Sequence, residues 1–167
     1  LRSKNFAIQL AAGKYLGSLN DPAGAQVVRN FGEAPREYVV EDHNLQLLVV
    51  DAAREVARHG HVDYAYQLPL LIEQGDWTVK TFIAQALRDF RAPQDPVVES
   101  AWLRAISIYR DGVAHEDENV RRSAALMMQT LLASAKTLSA VSAKVRDQFI
   151  ELAAEGPPPG VPQAAAL

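Results

Sequence analysis

This sequence contains no cysteine. Disulfide bridges, thiolate nucleophiles and cysteine-ligated zinc are therefore excluded as explanations of its fold or its chemistry. It also lacks a run of about 18 apolar residues, the length that a membrane-spanning helix requires. Its longer apolar stretches, such as residues 47–50, have the length of a helix-core segment. We therefore expect a soluble protein with no membrane-spanning segment.

The chain has no basic excess. Its 17 Lys and Arg against 20 Asp and Glu give a formal net charge of −3, whereas nucleic-acid-binding domains usually carry a clear excess of basic residues. At 167 residues, with 49% hydrophobic and 22% charged residues, the composition is that of an ordinary globular domain. Nucleic acid is therefore an unfavoured partner, although a local basic stripe is compatible with this balance.

Strand-like alternation is nearly absent, and apolar residues recur instead at helical spacing. Asp21-Pro22 and Asp95-Pro96 each combine a capping carboxylate with a proline at the first helical position. Pro69 is expected to kink the helix that contains it or to delay its start. These patterns predict an all-α chain of roughly eight helices, over about residues 4–18, 22–32, 42–58, 62–73, 76–90, 96–113, 118–134 and 140–154.

The most informative pattern recurs four times along the chain. It is centred on four reference residues, Ile8, Leu45, Val79 and Val120, which are 37, 34 and 41 residues apart. Each has small or apolar residues four and eight positions later and a long polar or basic residue at the next position. Each also has a potential capping residue three positions earlier: Asn5, Asp42, Asp76 and Asp117. Repetition at this period predicts a solenoid of helix pairs rather than one closed core.

Segments 68–87 and 116–125 resemble HEAT repeats, in which a first helix that often carries a proline is followed by a short turn. The second helix then opens with Asp-x-x-Val and a basic residue, as at Asp76 and Asp117. The aspartate can cap this helix and meet its positive dipole end, and the small residues let neighbouring helices approach closely. We expect the basic residue to reach an acid of the adjacent repeat, in a ladder of partly exposed ion pairs.

The resemblance covers about residues 1–135. It implies a right-handed α-solenoid of about four HEAT-like helix pairs over residues 1–154, followed by a proline-rich tail or linker over residues 155–167. The sequence opens with Leu1, and its first motif is the second helix of a pair with no first helix before it. This favours a fragment or a mature form of a longer chain.

The resemblance also implies a contact surface, because the second helices of a HEAT-like stack line its concave face. Polar residues at constant offsets on these helices form a polar stripe there, in which the arginines would suit a carboxylate or phosphate partner. The alternative is an ordinary solvated helix face. The predicted binding residues are the polar stripe, Asp51, Arg54, Arg58, Gln85, Arg88 and Gln129, together with Trp77, a candidate anchor for a partner.

No catalytic or metal site is expected. The most metal-like string is His59-Gly60-His61-Val62-Asp63, but helix capping explains it more completely than metal ligation does. The chain has no Gly-x-Ser-x-Gly turn and no phosphate-binding glycine loop. We therefore expect no cofactor.

The leading functional hypothesis is a protein–protein interaction or scaffold module that is cytoplasmic, is not an enzyme and binds another protein. The alternative is a HEAT-like nucleic-acid-processing enzyme domain of the alkylpurine DNA glycosylase type. Such a domain needs a basic concave cleft with aromatic and acidic residues for the damaged base, and the acidic balance of this chain counts against it. A purely structural repeat segment within a larger chain is a third possibility.

Overall fold

The computed structural model describes residues 5–32, 42–58, 68–87, 90, 95–134 and 141–156. Within these ranges the secondary structure is entirely helical, which confirms the all-α prediction for this part of the chain. No helix in the described ranges combines the length and the apolar character needed to cross a membrane. The helices are α1 (Phe6–Ser18), α2 (Pro22–Gly32), α3 (His43–Arg58), α4 (Leu68–Gln74), α5 (Trp77–Leu87), α6 (Pro96–Val113), α7 (Glu118–Ser134) and α8 (Ala143–Glu155).

Two prolines occupy the helix positions that their chemistry allows. Pro96 is the first residue of α6, and the side chain of Asp95 accepts a hydrogen bond from the backbone N–H of Val97 at 2.8 Å. Helix α4 begins at Leu68, so Pro69 lies in its first turn, where a missing N–H donor costs nothing. The predicted stretch before Leu68, residues 62–67, lies outside the described residues.

The four predicted capping residues cap α1, α3, α5 and α7. Their side-chain oxygens accept hydrogen bonds from first-turn backbone N–H groups, which have no partner within the helix. The distances are 3.3 Å from Ile8 to Asn5, 3.1 Å from Leu45 to Asp42, 2.9 Å from Val79 to Asp76 and 2.8 Å from Asn119 to Asp117. The repeated spacing in the sequence therefore corresponds to a repeated helix start in the structure.

The helices are arranged in two rows. In the odd row, defined as α1, α3, α5 and α7, each helix contacts the next one. In the even row, defined as α4, α6 and α8, α4 contacts α6 and α6 contacts α8. The rows are joined where α4 packs on α5 and α6 packs on both α5 and α7, and α2 packs on α1 and α3. Sequential helices thus pack mainly on their near neighbours in the chain.

A single buried cluster runs through both rows. Trp102 of α6 is 4% exposed and meets the ring of Phe149 of α8 edge-on, with ring centroids 6.0 Å apart. In α3, α5 and α7 the residues four and eight positions after the reference residue are all buried: Val49, Ala53, Ile83, Leu87, Ala124 and Met128. The same two offsets are therefore buried in all three helices.

Helix α1 departs from that pattern. Its reference residue Ile8 is 57% exposed, and the helix buries Leu10, Gly13 and Gly17 instead. A Cβ atom on Gly24 of α2 would lie 2.4 Å from the backbone nitrogen of Gly17, so α1 and α2 touch backbone to backbone. Because α1 is apolar on nearly every side, its periodicity does not indicate which face is buried. Ile8 is therefore exposed, although Leu45 and Val79 at the equivalent position of the motif are buried.

The predicted ladder of ion pairs is also wrong at two positions. Lys80 donates to the backbone carbonyl of Gly75, and Arg121 donates to the carbonyls of His115 and Glu116 at 2.8 and 2.6 Å. These side chains fold back on the turn before their own helix, where carbonyl groups lack helical partners. The structure thus pairs them with backbone oxygens rather than with an acid of the adjacent repeat.

Other side chains join the repeats instead. Lys14 of α1 pairs with Asp51 of α3, and Arg104 of α6 pairs with Glu73 of α4. All four side chains are partly exposed to solvent, so each pair contributes at most about 1 kcal/mol. Packing of the apolar cluster, rather than these pairs, holds the rows together.

Candidate functional site

A groove of about 760 Å³ lies along α3, α5 and α7, three consecutive helices of the odd row. Its volume is within the range of about 300–1,000 Å³ that is usual for binding clefts. The apolar lining residues are Leu47, Leu48, Trp77, Phe82 and Leu126. The polar lining residues are Asn44, Asp51, Thr78, Thr81, Gln85 and Ser123.

The repeat places equivalent residues in the groove. Positions three and six residues after each reference residue fall on one face of a helix, because helical side chains three apart are neighbours. In each of the three helices both of these positions line the groove: Leu48 and Asp51 in α3, Phe82 and Gln85 in α5, and Ser123 and Leu126 in α7. The groove is therefore a product of the same repetition that places the helix caps.

Several apolar side chains of the groove reach solvent. Leu126 is 55% exposed and Leu48 is 37% exposed, while Trp77 and Phe82 are half-buried. Contiguous exposed apolar surface commonly marks a contact site, whereas single exposed apolar residues scattered over a surface are ordinary. The groove therefore gathers partly exposed apolar side chains from three helices.

Trp77 forms one wall of the groove and also packs on the even row. Its Cη2 atom lies 2.8 Å from the position that a Cβ atom on Gly112 of α6 would occupy. The ammonium group of Lys80 lies 5.3 Å from the centroid of the indole ring, in cation–π range. Burial lowers the pKa of the Lys80 ammonium, and the nearby charge of Asp76 opposes this effect in part. The indole is thus held in place by α6 and by its own helix.

Asp51 is the one ionisable side chain among the described residues that line the groove. Its carboxylate pairs with the ammonium group of Lys14, so its charge is already matched within the protein. Lys14 is six positions after Ile8, the same offset that Asp51 has from Leu45. The offset that predicts Asp51 as a binding residue therefore also selects Lys14 in the first motif, although Lys14 is not among the predicted binding residues.

The structure brings together three of the predicted binding residues, because Asp51, Trp77 and Gln85 all line the groove. Gln129 is exposed on α7 but is not part of the lining. The side chain of Arg88 lies outside the described residues.

The two arginines of α3 are half-buried and are not part of the lining. Arg58 pairs with Glu55 of the preceding turn at 3.3 Å. Arg54 lies one turn beyond Asp51 on the same helix. The polar stripe is therefore divided, because Asp51 and Gln85 line the groove whereas Arg54 and Arg58 do not.

The apolar residues Leu48, Phe82 and Leu126 were missed by the sequence interpretation. The predicted polar stripe contains only polar side chains at fixed offsets, and apolar side chains at helical spacing are usually core residues. Their offset of three or six positions from a reference residue differs from the buried offsets of four and eight. That difference in phase is the information in the sequence that would have placed them on the surface.

Other candidate sites are weaker. The string from His59 to Asp63 lies outside the described residues. Among the residues that the structure describes, no group of three or more His, Asp or Glu side chains is arranged to hold a metal ion. A smaller polar cleft of about 370 Å³ between α6 and α8 includes Arg104 and Lys144, and Arg104 is paired with Glu73.

Comparison with protein-family models, with curated proteins and with solved structures finds no match to this chain.

Proposed function

We propose that this chain is a protein-interaction module whose groove along α3, α5 and α7 binds a segment of another protein. The observation that carries the proposal is the gathering of exposed apolar side chains, Leu48 and Leu126 among them, in one cleft of about 760 Å³. A mainly apolar cleft with a few polar groups at its margin is typical of a binding site for a peptide or small molecule. The extent of the cleft over three helices favours a peptide segment.

The fold that we propose for this module is a right-handed α-solenoid of HEAT-like helix pairs. Its support is the arrangement of the helices in two rows with contacts between neighbours, together with the fourfold recurrence of the helix cap. Stacked helix pairs produce an extended surface along one row of helices. The groove would occupy such a surface, because all three of its helices belong to the odd row.

Binding to protein is favoured over processing of nucleic acid. Asp51, the ionisable side chain of the described lining, is acidic, whereas phosphate backbones are bound by Lys and Arg. The groove also has no pair of titratable groups in its described lining that would serve as general acid and base. We therefore infer a binding role without catalysis.

The test is affinity capture with the tagged chain and quantitative mass spectrometry, comparing the wild-type chain with Leu126→Glu. Leu126 is 55% exposed, so a charge there leaves the core intact but disfavours apolar contact in the groove. We expect a partner that the wild-type chain enriches and that Leu126→Glu loses.

Ile150→Glu on α8 is the matched control. Ile150 is 60% exposed, close to the exposure of Leu126, and it is not part of the groove lining. The control should capture the partner as the wild-type chain does. Equal loss in both variants, or no protein that distinguishes them while both remain helical by circular dichroism, would contradict the proposal.

A further inference from the structure

The end of α8 lies on the side of the molecule where Trp77 borders the groove. Glu155, the last residue of α8, accepts a hydrogen bond from Arg110 of α6 at 3.1 Å. Two residues further along α6, Gly112 is in contact with the Trp77 ring. The chain therefore leaves α8 at the same end of α6 that supports the wall of the groove.

Gly156 ends α8 with a φ of +77°, a conformation that residues with a side chain rarely adopt. Residues 157–167 follow it in the sequence, and they include Pro157, Pro158, Pro159 and Pro162 and no charged side chain. At the polyproline rise of about 3.1 Å per residue, this segment reaches about 34 Å. Three helices packed side by side, with axes 8–10 Å apart, measure about 20 Å from the first axis to the third, so the segment is long enough to cross the groove.

We propose that residues 157–167 bind in the groove of their own chain and compete there with the partner protein. This inference rests on the proposed function, since it assigns a regulator to the same site. The chemistry of the two surfaces agrees. Proline-rich segments bind in aromatic-lined grooves, and Trp77 and Phe82 are both in the lining.

The charges of the groove are compatible with this occupant as well. A segment without charged side chains leaves the Lys14–Asp51 pair undisturbed, whereas a charged side chain would bring an unmatched charge beside apolar walls. Attachment through Gly156 gives the segment an effective concentration in the millimolar range, as expected for a short linker. A weak intrinsic affinity is therefore sufficient for it to occupy the groove.

The absence of cysteine makes a direct test possible. A single cysteine at Gln163→Cys in the full chain carries a nitroxide spin label, and the indole N–H signals of the two tryptophans are recorded by NMR. Trp77 borders the groove, whereas Trp102 is buried in the core. We expect the Trp77 signal to lose most of its intensity and the Trp102 signal to lose much less. In the chain that also carries Leu126→Glu, the loss at Trp77 should be abolished.

The inference is overturned if the label leaves Trp77 unaffected or broadens both indole signals equally, or if Leu126→Glu does not change the result. It is also overturned if Trp77 broadens when an isotope-labelled chain without nitroxide is mixed with an unlabelled chain that carries it, because the segment would then come from a second copy. No partner protein takes part in this experiment. Its failure therefore leaves the proposed function standing, and that proposal fails separately in the capture experiment.

Discussion

The Nδ1 atom of His43 lies 2.7 Å from a carboxylate oxygen of Asp76. His43 is the first residue of α3, and Asp76 immediately precedes α5. The other carboxylate oxygen of Asp76 accepts the backbone N–H of Val79 at 2.9 Å. One side chain therefore caps its own helix and also joins it to the neighbouring helix of the odd row.

This arrangement predicts a specific pH dependence of stability. Burial would raise the pKa of Asp76, but the backbone N–H of Val79, the charge and hydrogen bond of His43 and the N–H of Thr78 together lower it below its ordinary value of 3.8. A lowered folded-state pKa means that the carboxylate stabilises the fold above that value and that this stabilisation is lost as the pH falls through the lowered pKa. Asp76→Asn keeps a capping oxygen but removes the charge. We expect it to lower the free energy of unfolding by about 0.3–1 kcal/mol at pH 7.

Urea denaturation at pH 7 and in strong acid measures this difference. In acid, where Asp76 of the wild-type chain is protonated, the wild-type chain and Asp76→Asn should have nearly equal stability. Asp76→Ala removes the cap as well, so it should cost about 1 kcal/mol in acid and a further loss of about 0.3–1 kcal/mol at pH 7, where the charge is also removed. An equal effect of Asp76→Asn in both conditions would show that the charge is not the source of the stabilisation.

The backbone contact between α1 and α2 predicts a large cost for one methyl group. A Cβ atom on Gly24 would lie 2.4 Å from the nitrogen of Gly17 and 2.6 Å from the carbonyl oxygen of Gly13. Backbone atoms cannot rotate away, so Gly24→Ala should destabilise the protein by about 1–3 kcal/mol in urea denaturation. Helix propensity alone predicts the opposite, a gain of about 1 kcal/mol. An increase in stability would therefore contradict the close approach of these helices.

Gly13→Ala is the matched variant, because its new Cβ atom would meet a side chain instead, Val27 Cγ1 at 2.8 Å. Val27→Gly removes Cγ1 and also Cβ, which would lie 2.9 Å from the new atom, and so makes room for the methyl group. The double variant should therefore be more stable than the sum of the two single effects predicts, by about 0.5–3 kcal/mol. Strict additivity would mean that the two residues are not in contact.

Much of the fold was predictable from local chemistry. Helix caps depend on residues a few positions apart, so Asp42 and Asp95 could be placed correctly without knowledge of the packing. The buried face of α1 could not, because it depends on how α2 and α3 cover a helix that is apolar on nearly all sides. The direction of Lys80 was missed for a related reason, since turn carbonyls that need a donor are not visible in a side-chain pattern.

The buried and exposed reference residues predict opposite outcomes for similar substitutions. Leu45 is 9% exposed, whereas Ile8 is 57% exposed, although both occupy the same position of the sequence motif. Leu45→Ala should cost about 2–5 kcal/mol through the loss of buried contacts. Ile8→Ala should change the free energy of unfolding by less than about 0.5 kcal/mol. Thermal and urea denaturation of both variants measure this difference. An equal loss of stability in the two variants would mean that Ile8 is buried as Leu45 is.

Part of the candidate site was predictable as well. Asp51 and Gln85 could be found because a repeat places equivalent residues on one face, and a constant offset identifies that face. Trp77 does not follow that offset and could be found because it comes directly after Asp76, at a turn. Leu48 and Leu126 could not be recognised as surface residues by residue type, because apolar side chains usually belong to the core. Their offsets of three and six positions from a reference residue, rather than their residue type, distinguish them from the buried positions.

The attachment of α8 to α6 gives the last prediction. Nη1 of Arg110 donates to Gln148 at 2.9 Å, and Nη2 donates to Glu155 at 3.1 Å and to Glu151 at 3.5 Å. Arg110→Met keeps most of the side-chain volume but loses these bonds, each of which is modest because the acids are partly exposed. We expect faster amide hydrogen exchange in α8, measured by mass spectrometry, with little change in α3 and α5, because local opening of a terminal helix does not require global unfolding.

Arg146→Met, at an exposed position of α8, is the control and should leave exchange unchanged. Equal acceleration in both variants would show that helix propensity, rather than the Arg110 contacts, holds α8 in place.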